Sequence, residues 1–97
     1  MADRLRLPNR RDGDVLEFEH GGRRWAAMVG RFHDGRLGEI FLDSERVDPL
    51  GELAQEAAIV ASLALQHGCS LATLRHALAG RSGGPLAAAL DLVEAAP

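Results

Sequence analysis

Residues 14–43 read DVLEFEHGGRRWAAMVGRFHDGRLGEIFLD, and this stretch decides the fold. It carries two turn signals of one kind. Gly21-Gly22 and Asp34-Gly35 both supply residues that tolerate positive φ, as tight β-hairpin turns require. Between them the chain alternates at period two: Trp25, Ala27 and Val29 share one strand face, and Arg24, Ala26 and Met28 share the other. Before the first turn, Val15, Leu16 and Phe18 lie in a short β-prone run, Asp14–Glu19. After the second, Leu37–Asp43 sets Gly38, Ile40 and Leu42 against Leu37, Glu39 and Phe41. Both faces of that third strand are partly apolar, which calls for a central position or a helical cover on one side. The expectation is a three-stranded antiparallel meander.

Beyond residue 48 the period changes. Pro49 suits the first turn of a helix and Asp48 its N-cap. The helix is expected to run to about His67. Leu53, Ala57, Val60, Ala61 and Ala64 form its stripe, which Leu50, Ile59, Leu63 and Leu65 widen until little polar surface remains after Glu56. A helix apolar nearly all round is a buried one. Here it would lie between the sheet and either the following helices or a second subunit. Gly68 ends it. Ser70 caps a short second helix, Leu71–Ala79, lined by Leu71, Leu74 and Leu78. Gly80-Arg81-Ser82-Gly83-Gly84 links it to a third, from Pro85 to about Ala95, with Leu86, Leu90 and Val93 as its stripe. Residues 1–12 read as a flexible Arg-rich lead-in and residues 13–97 as one domain. The order βββααα makes the class α+β, a meander followed by a long buried helix and two shorter helices.

A chain of 97 residues allows one domain and excludes barrel enzymes and most multi-domain catalysts. Aromatics make up 4% of it, so the core must be built from Ala, Leu and Val. All 11 basic residues are Arg. Residues 1–36 hold eight Arg against six acids, and residues 37–97 three Arg against eight acids. The net charge of −3 falls far short of a dedicated DNA-binding domain, whose pI usually exceeds about 9. A single cysteine, Cys69, permits no intrachain disulfide and suits a reducing compartment. The charged start, MADRLRLPNRRDGD, lacks the apolar stretch of a signal peptide, and no run approaches the roughly 20 apolar residues of a membrane span. The expected location is cytoplasmic, with no membrane partner.

His67, Cys69 and His76 invite a metal reading. A structural zinc site needs four ligands, often paired cysteines, so no metal is expected and His67 is read as a helix C-terminal residue facing the negative end of the dipole. Cys69 precedes a helix, which lowers a thiol pKa, but no second Cys is there to resolve a disulfide, and it is read as a small buried residue. Glu52 and Glu56, one turn apart, read as a solvated helix face. No Gly-x-Gly-x-x-Gly or phosphate-loop pattern occurs. The arginines carry the most chemistry. Arg10 and Arg11, Arg23 and Arg24, and Arg31 and Arg36, with His33 between the last pair, are expected to gather at the hairpin side of the sheet, where they are candidates for gripping phosphate bidentately. Arg23 and Arg24 are adjacent on a strand and point to opposite faces, so only one of them joins any given patch. Trp25, Phe18 and Phe41 serve either as core or as a stacking surface for a base.

The segments LRLPNRRDGDVLEFEHGGRRW, VGRFHDGRLGEIFL, AAIVASLALQHGCSLATLRHAL and GGPLAAALDLV together resemble the small TSCPD-type domain. That domain occurs at the C-terminal end of adenosylcobalamin-dependent ribonucleotide reductases and in short stand-alone bacterial proteins. The resemblance covers nearly the whole chain and is most specific at Gly38–Leu42 and Ser62–Leu78. It implies a module serving deoxyribonucleotide synthesis, with a reductase subunit or another protein as partner. The chain lacks the Thr-Ser-Cys-Pro-Asp motif of the name and reads Arg81-Ser82-Gly83-Gly84-Pro85 in the nearest region, so no role of that cysteine carries over. A reductase also needs a thiyl cysteine, a redox-active cysteine pair and a catalytic barrel, which one Cys in 97 residues does not supply. The expectation is therefore a non-catalytic accessory or regulatory module without a cofactor. The alternative is a nucleotide- or nucleic-acid-binding protein using the Arg-rich sheet face. A homodimer is expected in either case, because the first helix presents more apolar surface than this small sheet covers.

Overall fold

The computed structural model describes residue 4 and residues 13–80 and 83–95. Strands β1 (Gly13–His20), β2 (Arg23–Arg31) and β3 (Leu37–Ser44) are followed by helices α1 (Pro49–Gln66), α2 (Leu71–Leu78) and α3 (Pro85–Ala95). The strands form one antiparallel sheet in the order β1-β2-β3, so the fold is α+β as the patterning implies. Arg10, Arg11, the rest of the lead-in apart from Arg4, and Arg81-Ser82 of the linker lie outside the described residues.

The two hairpins turn where the glycines stand. Gly21 and Gly22 take φ of 61° and 77°, and Gly35 takes 90°, all in the left-handed region. The register pairs Leu16 with Ala27, Phe18 with Trp25, and Val29 with Ile40. Period-two alternation then places Trp25, Ala27, Val29, Ile40 and Leu42 on one face, and all five are buried. The Phe18 and Trp25 rings stack with centroids 6.5 Å apart. Ala89, Leu90 and Val93 of α3 join the same core, and Leu71, Leu74, Leu78 and Leu86 pack against it. Both aromatics and Trp25 in particular are thus structural, whereas Phe41 faces outward with Met28 and Val15.

Helix α1 differs from the sequence expectation in which face it buries. Its buried residues are Gly51, Ala54, Ala58, Ala61, Ser62, Leu65 and Gln66. Leu53 (63% exposed) and Val60 (66%), expected in the buried stripe, face outward, and Leu50, Ile59 and Leu63 are exposed as well. Small residues win the inner face because the helix lies close to its neighbours. A Cβ on Gly51 would come within 3.0 Å of the Arg46 carbonyl oxygen.

The third strand is not central. It is the sheet's edge, and α1 lies along it. The Ser62 hydroxyl accepts from the Ile40 N–H at 2.9 Å and donates to the Ile40 carbonyl at 2.7 Å. One turn later Gln66 Nε2 donates to the Gly38 carbonyl at 3.1 Å. Four helical residues rise about 6.0 Å and two strand residues about 6.6 Å, so the two ladders keep step over this span. At Gly38 and Ile40, helix side chains thus occupy hydrogen-bonding groups that a fourth strand would take, and α1 blocks pairing with another chain along that part of the edge. Asp48 caps α1 by accepting from Gly51 N–H at 2.9 Å, and Ser70 caps α2 by accepting from Thr73 N–H at 3.0 Å. Among the described residues no helix is long and apolar enough to cross a membrane.

Candidate functional site

The described candidate arginines do not gather at one side of the sheet, as expected, but separate into two groups because β2 runs its full length between them. Arg23 and Arg24 open β2, and Arg31 closes it with His33 and Arg36 in the following hairpin. Nine strand residues place the groups on the order of 25 Å apart, at opposite ends of the sheet.

At the first end, Arg23 is 9% exposed and committed to the framework. Its Nη1 donates to Asp48 Oδ1 at 2.8 Å and to Ser44 Oγ at 3.2 Å, tying the start of β2 to the end of β3 and the N-terminus of α1. Its guanidinium carbon sits 5.7 Å from the Trp25 ring centroid. The side-chain bond from Arg23, then the Gly51 N–H, hold the Asp48 carboxyl down at about 2. The same bond from Asp48 raises the Arg23 pKa further. Arg24 points to the opposite, exposed face, where its backbone N–H donates to Glu45. Nothing in local patterning marks Arg23 as buried, because its partner lies 25 residues away.

At the second end, Arg36 donates to Asp34 at 2.6 Å and lies over the Phe32 ring at 5.1 Å. The Arg36 backbone N–H and then its side chain lower the Asp34 pKa. Arg31 donates to the Gly35 carbonyl at 3.1 Å, and His33 is exposed. The hairpin therefore presents two guanidinium groups and an imidazole beside one carboxylate.

An open cleft of about 630 Å³ lies between the first hairpin, α2 and α3. His20, Arg75, His76 and Asp91 line it. His20 Nε2 is hydrogen-bonded to the Gly83 carbonyl, and Arg75 donates to Asp91 at 3.0 Å. The Arg75–Asp91 pair staples α2 to α3, and His20 ties the first hairpin to the segment before α3. The sequence does not announce this cleft, since its residues come from segments more than 50 positions apart. Cys69 is half-buried, with its Sγ 3.7 Å from the Ser70 carbonyl. Among the described residues no group of three or more His, Cys, Asp or Glu is placed to hold a metal ion.

The largest uncommitted feature is apolar. Leu50, Leu53, Ile59, Val60 and Leu63 of α1 are all exposed, and Phe41 and Met28 continue the apolar surface across the outer sheet face. Fold and surface together define a three-stranded α+β module with one helix face left open.

The chain is 38% identical over 72 residues, 73% of its length, to the vitamin B12-dependent ribonucleotide reductase of Bradyrhizobium diazoefficiens. It is 39% identical over 70 residues, 71% of its length, to the vitamin B12-dependent ribonucleotide reductase of Agrobacterium fabrum. Each match spans 6% of the reductase, so the likeness is to a short region of a much longer protein. No family model matches the chain, and no solved structure matches it.

Proposed function

We propose that this chain is a non-catalytic accessory module of ribonucleotide reduction, of the TSCPD type, acting by binding a reductase subunit. The observation that carries the reading is the likeness itself: nearly three-quarters of the chain matches a segment that is only 6% of a vitamin B12-dependent reductase. A segment that small holds one cysteine and no barrel, which fits regulation or docking rather than turnover. The chemistry of the cleft and the surface supports this. Arg75 and Asp91 of the cleft bond each other, Cys69 is the sole thiol, and Met28 and Phe41 leave an apolar patch on the outer sheet face.

The test is a reductase assay with the purified chain added to a purified vitamin B12-dependent ribonucleotide reductase. The expected result is a saturable change in the enzyme's rate or effector response, with no turnover by the chain alone. An unchanged enzyme across a saturating titration would remove the reading.

A second reading rests on the second hairpin, where Arg31, His33 and Arg36 stand together, with Arg24 as a further exposed cation. It assigns the chain to nucleotide or nucleic-acid phosphate. Binding of this kind weakens steeply with salt. Titration with labelled single-stranded DNA and with a nucleoside triphosphate at two salt concentrations tests it, and no binding at low salt ends it.

A further inference from the structure

We propose that the outward face of α1 is a contact between two copies of this chain, packed antiparallel about a two-fold axis that passes between Ala57 and Val60. Helix α1 carries two apolar seams of the same spacing. Gly51, Ala54, Ala58, Ala61 and Leu65 form the first, and the sheet fills it. Leu50, Leu53, Ala57, Val60 and Ala64 form the second, displaced by one position and repeating at three and four residues like the seam of a coiled coil. Its large members are exposed in the single chain, Leu53 and Val60 most of all.

The second seam is complementary to itself when reversed. Antiparallel pairing about that axis sets Leu53 against Ala64 of the copy and Ala57 against Val60, so a large side chain meets a small one in each of these layers. Side chains of this kind interdigitate without a void. Charge selects the same direction. Glu52 and Glu56 both lie in the first half of the helix, and a parallel pair would bring like acids together. The antiparallel pair sets them against residues 60–66 of the copy, none of which is charged. A two-fold contact also closes on itself, so one surface patch serves both partners.

The size fits. Specific interfaces bury at least about 1,000 Å² in total, on the order of 500 Å² per copy. Eighteen residues make α1 about 27 Å long. An apolar groove of about 320 Å³ beside Leu53, floored by Pro85 and Leu86, widens the contact on one flank, and Leu63 widens it on the other. Such pairing does not depend on any role in nucleotide reduction.

Sedimentation equilibrium of the full chain tests it. The expected result is a reversible dimer whose dissociation constant rises by about 30-fold or more in Val60→Glu and in Leu53→Glu, as for loss of a central contact. Far-UV circular dichroism should not change, because both side chains are exposed in the single chain. Register is read by cross-linking in a Cys69→Ser background. Ala57→Cys chains mixed with Val60→Cys chains should form a mixed disulfide dimer more readily than either forms alone. A chain that stays monomeric at millimolar concentration would assign the face to a different protein and overturn the proposal. A dimer indifferent to Val60→Glu would place the contact elsewhere and overturn it equally.

Discussion

Replacing Ser62 by Ala should be one of the most damaging single-atom deletions in this fold. The hydroxyl is 4% exposed and makes two bonds to one residue, accepting from the Ile40 N–H at 2.9 Å and donating to its carbonyl at 2.7 Å. Ile40 itself is fully buried, so water does not replace the lost partner. Leaving a buried polar group unsatisfied costs about 1–3 kcal/mol. Two such groups give about 1.5–5.5 kcal/mol once the better helix propensity of Ala, worth about 0.5 kcal/mol, is credited back. A domain of this size has about 5–15 kcal/mol in all, so the loss is a large share. Urea unfolding followed by circular dichroism should show a lower midpoint at unchanged slope. Melting should shift by about 4–8 °C per kcal/mol. Ser62→Thr, which keeps the hydroxyl, should fall between parent and Ala, and the Ile40 amide should lose hydrogen-exchange protection in Ser62→Ala alone. A Ser62→Ala protein within about 0.5 kcal/mol of the parent, the range of an ordinary surface change, would refute the idea that α1 blocks that part of the sheet edge.

Three further outcomes follow from the packing and the caps. Ala58→Leu should destabilise by about 1–3 kcal/mol in the same urea assay, because the site is fully buried in the small seam and has no room for added methylenes. Leu90→Ala should cost about 2–5 kcal/mol by opening a cavity where α3 meets the sheet. Asp48 should give the fold an acid-sensitive element. Its folded pKa is depressed, chiefly by Arg23 and then by the Gly51 N–H, so its contribution is complete above the ordinary carboxylate value of about 3.9 and is lost as pH falls through about 2. Acid titration of the helical signal should show this phase between those values, and Asp48→Asn should remove it.

Much of the architecture is legible in the local chemistry. Gly21-Gly22 and Gly35 fix the hairpins through their positive φ, and strand parity then sorts the core from the outer face without long-range information. Asp48, Pro49, Gly68 and Ser70 mark the helix boundaries through backbone groups close in sequence. The face of α1 is a different case. A helix apolar on nearly every side has no periodic minimum to choose by, and the choice falls to whichever seam lets the backbone approach β3. The signal that distinguishes the two seams is the polar pair Ser62 and Gln66, four residues apart in an otherwise aliphatic half-helix. Those residues need buried partners, and the open edge of β3 supplies them. The arginine candidates were only half legible for the same reason. The length of β2 holds Arg23 and Arg24 at the end opposite Arg31 and Arg36, against the expectation that they gather, and the burial of Arg23 depends on Asp48, 25 residues away.

The most direct test of the functional account is sedimentation velocity of the fluorescently labelled chain with a purified vitamin B12-dependent ribonucleotide reductase. The account predicts that the label moves with the large enzyme, saturably and in competition with unlabelled chain. A label that sediments alone at every reductase concentration would contradict it.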